Sequence, residues 1–145
     1  TRQLDFSDTG DRLFAQTIDR LLVLDGSSLE IERQFLGYGS AISPSCEIAA
    51  VTGGTDQYGT AIYNTGTGKL LNTLPDQGLY MAVSADDSLL AVSGDVIRLW
   101  DINTGRYLTS LDTGGAGFGQ VIFSSDTDLL VFSPWDGGLV FWGVP

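Results

Sequence analysis

The sequence predicts an all-β protein built by repetition of one four-stranded unit, and three observations predict it. First, no stretch of ten residues carries a sustained helical period of apolar side chains. Second, residues 96–111, VIRLWDINTGRYLTSL, read as a hairpin. Val96 to Trp100 are β-branched, aromatic and apolar. Asn103, Thr104 and Gly105 form a polar turn in which glycine supplies φ > 0, and Tyr107 to Leu111 pair back. Third, weaker copies of that unit recur. The residue before the serine of each first turn is Phe6, Ile42, Val83 and Phe123, in steps of 36, 41 and 40. The anchor of each third strand is Leu24, Tyr63, Trp100 and Trp142, in steps of 39, 37 and 42. A period near 40 with four short strands per unit marks the blade of a β-propeller.

Each copy follows one plan: apolar strand, Ser/Asp turn, apolar strand, short gap, third strand, Gly turn, fourth strand. The first copy starts at residues 3–7, turns at Asp8 to Asp11, and continues with strands at Arg12 to Thr17, Arg20 to Asp25 and Ile31 to Leu36. The second has strands at Tyr38 to Ser43, Ile48 to Thr52, Gly59 to Asn64 and Leu70 to Leu74. The third has Leu79 to Ser84, Leu89 to Ser93, Val96 to Asp101 and Tyr107 to Asp112. The fourth has Gly119 to Ser124, Leu129 to Ser133 and Gly138 to Trp142, with no fourth strand. The expected blades are therefore about 1–37, 38–78, 79–115 and 116–145. Nineteen glycines against four prolines suit tight turns between short strands.

These residues resemble the WD-repeat β-propeller family. The strongest match is Leu99-Trp100-Asp101 followed by Asn103-Thr104-Gly105, preceded by Ser84-Ala85-Asp86-Asp87 and Ala91-Val92-Ser93-Gly94. The chain has no histidine, so the family's Gly-His dipeptide is missing from every copy, and the buried Asp/His/Ser/Trp tetrad survives only as partial sets: Asp95, Ser93 and Trp100, or Asp136, Ser133 and Trp142. The resemblance implies a ring of seven or eight blades, of which four are a part. A lone blade cannot bury both sheet faces, and an open half-ring exposes apolar faces at both ends. The chain opens without an initiator Met or a leader-like segment. The expectation is a C-terminal four-blade part of a larger propeller, completed by a preceding segment. A homodimeric eight-bladed ring comes second and a closed four-bladed ring third.

Composition narrows the function. The formal net charge is −11, from 18 acidic and 7 basic residues, which disfavours nucleic acid and anionic membranes as partners. No apolar run approaches the ~18 residues of a membrane span, and a cytoplasmic setting is favoured. Cys46 is the only cysteine and sits in a turn-like Ser-Pro-Ser-Cys-Glu, so no intrachain disulfide forms. Without histidine there is no Ser-His-Asp or Cys-His arrangement and no His/Cys metal site. The paired acids of the first turns (Asp8 and Asp11, Asp86 and Asp87, Asp126 and Asp128) read as turn formers rather than calcium ligands. The Gly-rich DTGGAGFG over 112–119 is not followed by a helix, so it is read as a loop between blades and not as a dinucleotide site. No cofactor is expected.

Trp100 and Trp142 lie in strands and are read as core. Trp135, in Ser-Pro-Trp-Asp-Gly-Gly, lies in a turn between second and third strands, where an aromatic side chain suits a partner. In propellers of this plan that turn shares a face with the links between blades. The same face would carry Tyr58, Tyr38, Tyr80 and Phe118, rimmed by Asp56, Asp95 and Asp136. Aromatic residues with an acidic rim suit a basic or apolar peptide or protein, although Tyr38, Tyr80 and Phe118 can equally pack between blades. The expected function is a non-catalytic protein-interaction scaffold. The alternatives are a propeller enzyme (a hydrolase or quinone-dependent dehydrogenase) whose catalytic residues lie outside these blades, and a structural subunit of a larger complex.

Overall fold

The structure, a computed structural model, describes residues 3–54, 58–113, 119–124, 129–135 and 137–144. They form four antiparallel meanders. The first sheet is β1 (Gln3–Phe6), β2 (Arg12–Gln16), β3 (Arg20–Asp25) and β4 (Ile31–Leu36). The second is β5 (Gly39–Ile42), β6 (Ile48–Thr52), β7 (Thr60–Asn64) and β8 (Leu70–Leu74). The third is β9 (Tyr80–Val83), β10 (Leu89–Ser93), β11 (Ile97–Asp101) and β12 (Tyr107–Leu111). The fourth has three strands, β13 (Gln120–Phe123), β14 (Leu129–Ser133) and β15 (Val140–Gly143). We call these sheets blades 1 to 4. The first strands β5, β9 and β13 lie side by side, so the blades radiate from a common axis. The protein is part of a β-propeller.

The repeat seen in the sequence is a repeat of register. Leu24, Tyr63, Trp100 and Trp142 all pair with the second residue of the preceding strand: Leu13, Ala49, Leu90 and Leu130. A bulge recurs beside three of them, between Val23/Leu24, Ile62/Tyr63 and Leu99/Trp100. Bulges of this kind increase local twist.

The turns repeat as well. In the first turn of blades 1 to 3 a serine hydroxyl accepts the backbone N–H five residues on: Arg12 to Ser7 (3.1 Å), Ile48 to Ser43 (3.1 Å) and Leu89 to Ser84 (2.9 Å). The same left-handed position is filled by Gly10, Cys46 and Asp87, with φ of 72°, 61° and 61°. Between third and fourth strands an Asx side chain caps the turn: Asp25 accepts from the N–H of Ser28, Asn64 from Thr67, and Asp101 from Thr104. These caps explain why the strands are shorter than the sequence suggests. Ser43 and Ser84 belong to the turns they brace. In blade 4 the third strand begins at Val140 and not at Gly138, because Gly137 and Gly138 both have φ of 94° and bend the chain.

Alternating residues of each blade pack against the next. Phe14, Leu21, Val23 and Phe35 of blade 1 meet Ala49 and Val51 of blade 2. Ile62 and Leu74 of blade 2 meet Leu90, Val92 and Trp100 of blade 3. Ile97 and Leu99 of blade 3 meet Leu130 and Phe132 of blade 4. Among the described residues no core cluster joins blade 4 to blade 1. The closed four-bladed ring is therefore not formed: both end faces remain open.

The open faces have the composition of buried ones. On blade 4, Phe141 is 60% exposed, whereas the residues at the same register position in blades 1 to 3, Val23, Ile62 and Leu99, are 0%, 0% and 2% exposed. On blade 1, Leu4 and Phe6 are exposed on the side that in every later blade packs on its predecessor.

Candidate functional site

The antiparallel register brings two kinds of connection to one rim. The end of each second strand pairs with the start of the third: Thr52 with Thr60, and Ser93 with Ile97. These residues also face the end of the fourth strand and the start of the first: Thr60 faces Leu74, and Ser93 faces Tyr80. The second turns and the blade-to-blade links therefore emerge together, which we call the upper rim.

Tyr58 and Trp135 both project from upper-rim turns, 97% and 80% exposed. Trp135 follows a buried Pro134, whose carbonyl accepts the N–H of Gly137 (3.2 Å), so the turn that carries the indole is braced. Large aromatic groups left in water suit contact with a partner. Tyr38 behaves differently. Its hydroxyl donates to Gln77 Oε1 (3.2 Å), across to the link that enters blade 3, and its ring lies over Gly53. A Cβ on Gly53 would fall 1.8 Å from Tyr38 Cε1, and Gly53 has φ of 75°, so glycine is required there twice over. Tyr80 opens β9 and is half-buried. Tyr38 and Tyr80 thus belong to the joints between blades, while Tyr58 and Trp135 stand free of them. Asp56, Phe118 and Asp136 lie outside the described residues, as do Asp126 and Asp128.

Beneath this rim is a polar joint that the sequence did not reveal. Trp100 Nε1 donates to Asp76 Oδ2 (2.9 Å), from the link between blades 2 and 3. The Arg98 guanidinium lies 3.8 Å from the same carboxylate oxygen and donates to Asp95 Oδ1 at 3.0 Å. Thr60 Oγ1 donates to the Asp76 carbonyl (2.8 Å). The hydrogen bond from Arg98 holds the Asp95 carboxyl below its ordinary range, helped by the Val96 N–H. Ser93 does not receive the indole: its hydroxyl accepts from the N–H of Gly119 (3.4 Å). The Asp95, Ser93 and Trp100 set is thus replaced by a joint centred on Asp76. Nothing in Leu-Pro-Asp-Gln-Gly marks that aspartate, because its partner lies 24 residues away.

At the opposite rim Asp11 and Asp86 serve their turns, as read from the sequence. Asp11 accepts from the hydroxyls of Thr9 and Ser7, and Asp86 from those of Ser84 and Ser88, and both carboxyls are held below their ordinary range by these bonds. Asp87 accepts from Ser45 Oγ (2.6 Å), which ties the first turns of blades 2 and 3 together. Burial, and then the nearby carboxylates of Asp8 and Asp5, push the Cys46 thiol up, away from the reactive thiolate. Of the two strand tryptophans, Trp100 is buried and Trp142 is half-buried, stacked at 6.0 Å on Phe132, as expected of core residues.

No protein-family model and no curated protein sequence matches this chain. Solved structures do. The β-propeller domain of Cps50 (Swd1) from Myceliophteria thermophila superposes with a TM-score of 0.79 at 17% identity, over 98% of this chain and 50% of that one. U3-55K superposes with a TM-score of 0.82 at 14% identity, over 98% and 48%. Hydrazine synthase from Kuenenia stuttgartiensis superposes with a TM-score of 0.73 at 17% identity, over 97% and 45%. At these identities the likeness is one of fold. The chain spans about half the length of the structures it resembles.

Proposed function

We propose that this chain is a four-blade part of a divergent WD-repeat propeller that works as a protein-interaction scaffold, with blades at about 1–37, 38–78, 79–115 and 116–145. One observation carries the reading: Tyr58 and Trp135 are solvent-exposed aromatic side chains on one rim of a rigid, repetitive frame, with no catalytic constellation beside them among the described residues. The partner is a protein or peptide with a basic or apolar contact surface, since the chain carries a net charge of −11. The likeness to propellers about twice as long supports completion of the ring by further blades, which would cover Phe141 at one end and Leu4 and Phe6 at the other. The likeness to hydrazine synthase concerns fold and assigns no chemistry here.

The test is a double variant, Tyr58→Ala with Trp135→Ala. Loss of the partner that the unmodified protein captures, at an unchanged melting midpoint, is the expected result. Capture that persists would end the aromatic-rim reading. Native mass spectrometry separates the modes of ring completion: a second, different polypeptide, two copies, or one longer chain.

A further inference from the structure

A cleft of about 870 Å³ opens on the perimeter between blades 1 and 2, with Gly54 and Gly59 of the turn that carries Tyr58 at its upper end and Thr67 and Gly68 among its other lining residues. Its origin is a difference in side-chain size. In blade 3 the two third-strand residues that face the preceding blade are Arg98 and Trp100, and they fill the gap. At the same register positions blade 2 has Ala61 and Tyr63, with Gly59 just ahead of them. The floor is the Phe35–Tyr63 ring pair, with centroids 4.6 Å apart. The volume lies within the range of ordinary ligand sites, about 300–1,000 Å³.

One wall of the cleft is a strand edge. All six residues of β4 line it, and consecutive residues of a strand point to opposite faces, so the free edge of β4 borders the opening. The pairing shows which backbone groups that edge presents. The Gly37 N–H bonds the Asp19 carbonyl (2.8 Å), which makes 19/37 a hydrogen-bonded pair. By alternation 21/35 and 23/33 are hydrogen-bonded, and 20/36 and 22/34 are not. The N–H and C=O of Gln34 and Leu36 therefore point outward, away from β3.

The charges at this edge also select. Its arginines are already engaged: Arg12 with Glu32 (3.5 Å), Arg20 with Asp19 (2.6 Å), and Arg33 with the Gly66 carbonyl (2.7 Å). Glu30, just before β4, forms no ion pair among the described residues, while Asp25, at the end of β3, caps the turn through Ser27 and Ser28.

We propose that this cleft is a second docking site, which takes an extended peptide segment of a partner protein as an added strand on β4. One apolar or aromatic side chain of the segment enters the hollow over Phe35, Tyr63 and Ala61, and a flanking Lys or Arg faces Glu30. Only an extended backbone matches the outward groups of Gln34 and Leu36, and an apolar anchor beside a strand edge is the usual division of labour in strand addition: main chain for affinity, pocket for selection. Its anchoring residues, Phe35, Tyr63 and Ala61, are not those of the aromatic rim.

The test uses a fluorescein-labelled peptide, Lys-Thr-Val-Phe-Val-Thr-Lys, read by fluorescence anisotropy on the intact protein that contains these blades. Gln34→Pro removes an outward N–H and leaves the ladder to β3 intact, since proline is tolerated on an edge strand where the N–H faces out. Ala61→Arg fills the hollow with the side chain that blade 3 uses. Each variant is expected to weaken binding by about tenfold or more, as are alternate backbone N-methylation of the peptide and replacement of its lysines by glutamates. Trp135→Ala, in the upper-rim turn of blade 4, is expected to leave binding unchanged. If Ala61→Arg lowers the melting midpoint, Gln34→Pro and the methylated peptide still decide. No binding of the peptide, or binding that survives Gln34→Pro or N-methylation, overturns the proposal. So does binding that is lost only in the Trp135 variant.

Discussion

Two neighbouring interfaces in this arc share one register and differ in how they are filled. Between blades 2 and 3, Ile62, Leu74, Leu90 and Val92 bury an apolar layer, and Trp100 reaches across it to Asp76. Between blades 1 and 2, the equivalent of Trp100 is a half-buried Tyr63 stacked on Phe35, and the equivalent of Arg98 is Ala61. The first interface carries Trp100 in its buried cluster; the second is packed by Phe14, Leu21 and Val51 and open outside. A repeat can thus keep its backbone pairing constant and change the filling of a joint through two side chains. The same comparison gives meaning to the end faces, where Phe141 stands exposed at a position that is buried in every other blade.

The comparison breaks or sharpens most strongly at its anchors. Trp100→Ala is expected to cost about 3–5 kcal/mol, since it leaves a large cavity in a filled interface. Tyr63→Ala, next to a cleft that is already open, should cost less than half as much. Equal losses of denaturation midpoint in the two variants would mean that the interfaces are equally packed.

The next effect is polar. Asp76→Ala leaves the indole N–H of Trp100 without its acceptor and is expected to destabilise by about 1–3 kcal/mol. Urea denaturation of Asp76→Ala, Trp100→Phe and the double variant measures the coupling, and additive losses would dissolve the joint.

A smaller effect has the opposite sign. Cys46 packs beside the interface of blades 1 and 2 and holds φ of 61°, where its relative in blade 1 is Gly10. Left-handed geometry costs a side-chain-bearing residue roughly 1–2 kcal/mol, so Cys46→Gly should raise stability by up to about 1 kcal/mol after loss of the thiol's packing. A lower melting midpoint would show that the thiol's contacts outweigh the strain.

The smallest effect is acid sensitivity in the turns. The Arg20 guanidinium holds Asp19 down to about 2 from 3.8, and the Ser27 hydroxyl with the Ser28 N–H lowers Asp25. The Thr104 N–H lowers Asp101. A carboxyl lowered in the folded state adds stability that is fully present above its unfolded value and is lost as pH falls through its folded value. The midpoint should therefore hold from neutral pH down to about 4 and fall between about 4 and 2, each turn contributing little because these groups are exposed. A midpoint that rises over that window would contradict the sign.

Much of the fold was legible because repetition amplifies weak signals. The steps between Leu24, Tyr63, Trp100 and Trp142 located positions that turned out to share a single pairing register. The three strands of the fourth copy were legible as well, and among the described residues they form blade 4. Strand ends were less legible, since the serine and glycine that finish them have their effect through caps and positive φ. The aromatic rim was half legible: Tyr58 and Trp135 project as expected, while Tyr38 turned inward onto Gly53 and Gln77.

By itself the sequence determined the strand period, the turn chemistry and the count of blades, because these rest on interactions within a hairpin, where neighbours in space are neighbours in sequence. Tertiary structure alone decided which carboxylate receives Trp100, and that Ala61 opens a cleft beside the free edge of β4. Each of those depends on what the preceding or following blade presents across a gap. A pattern read along one strand holds no information about the size of the side chain that faces it from the next sheet.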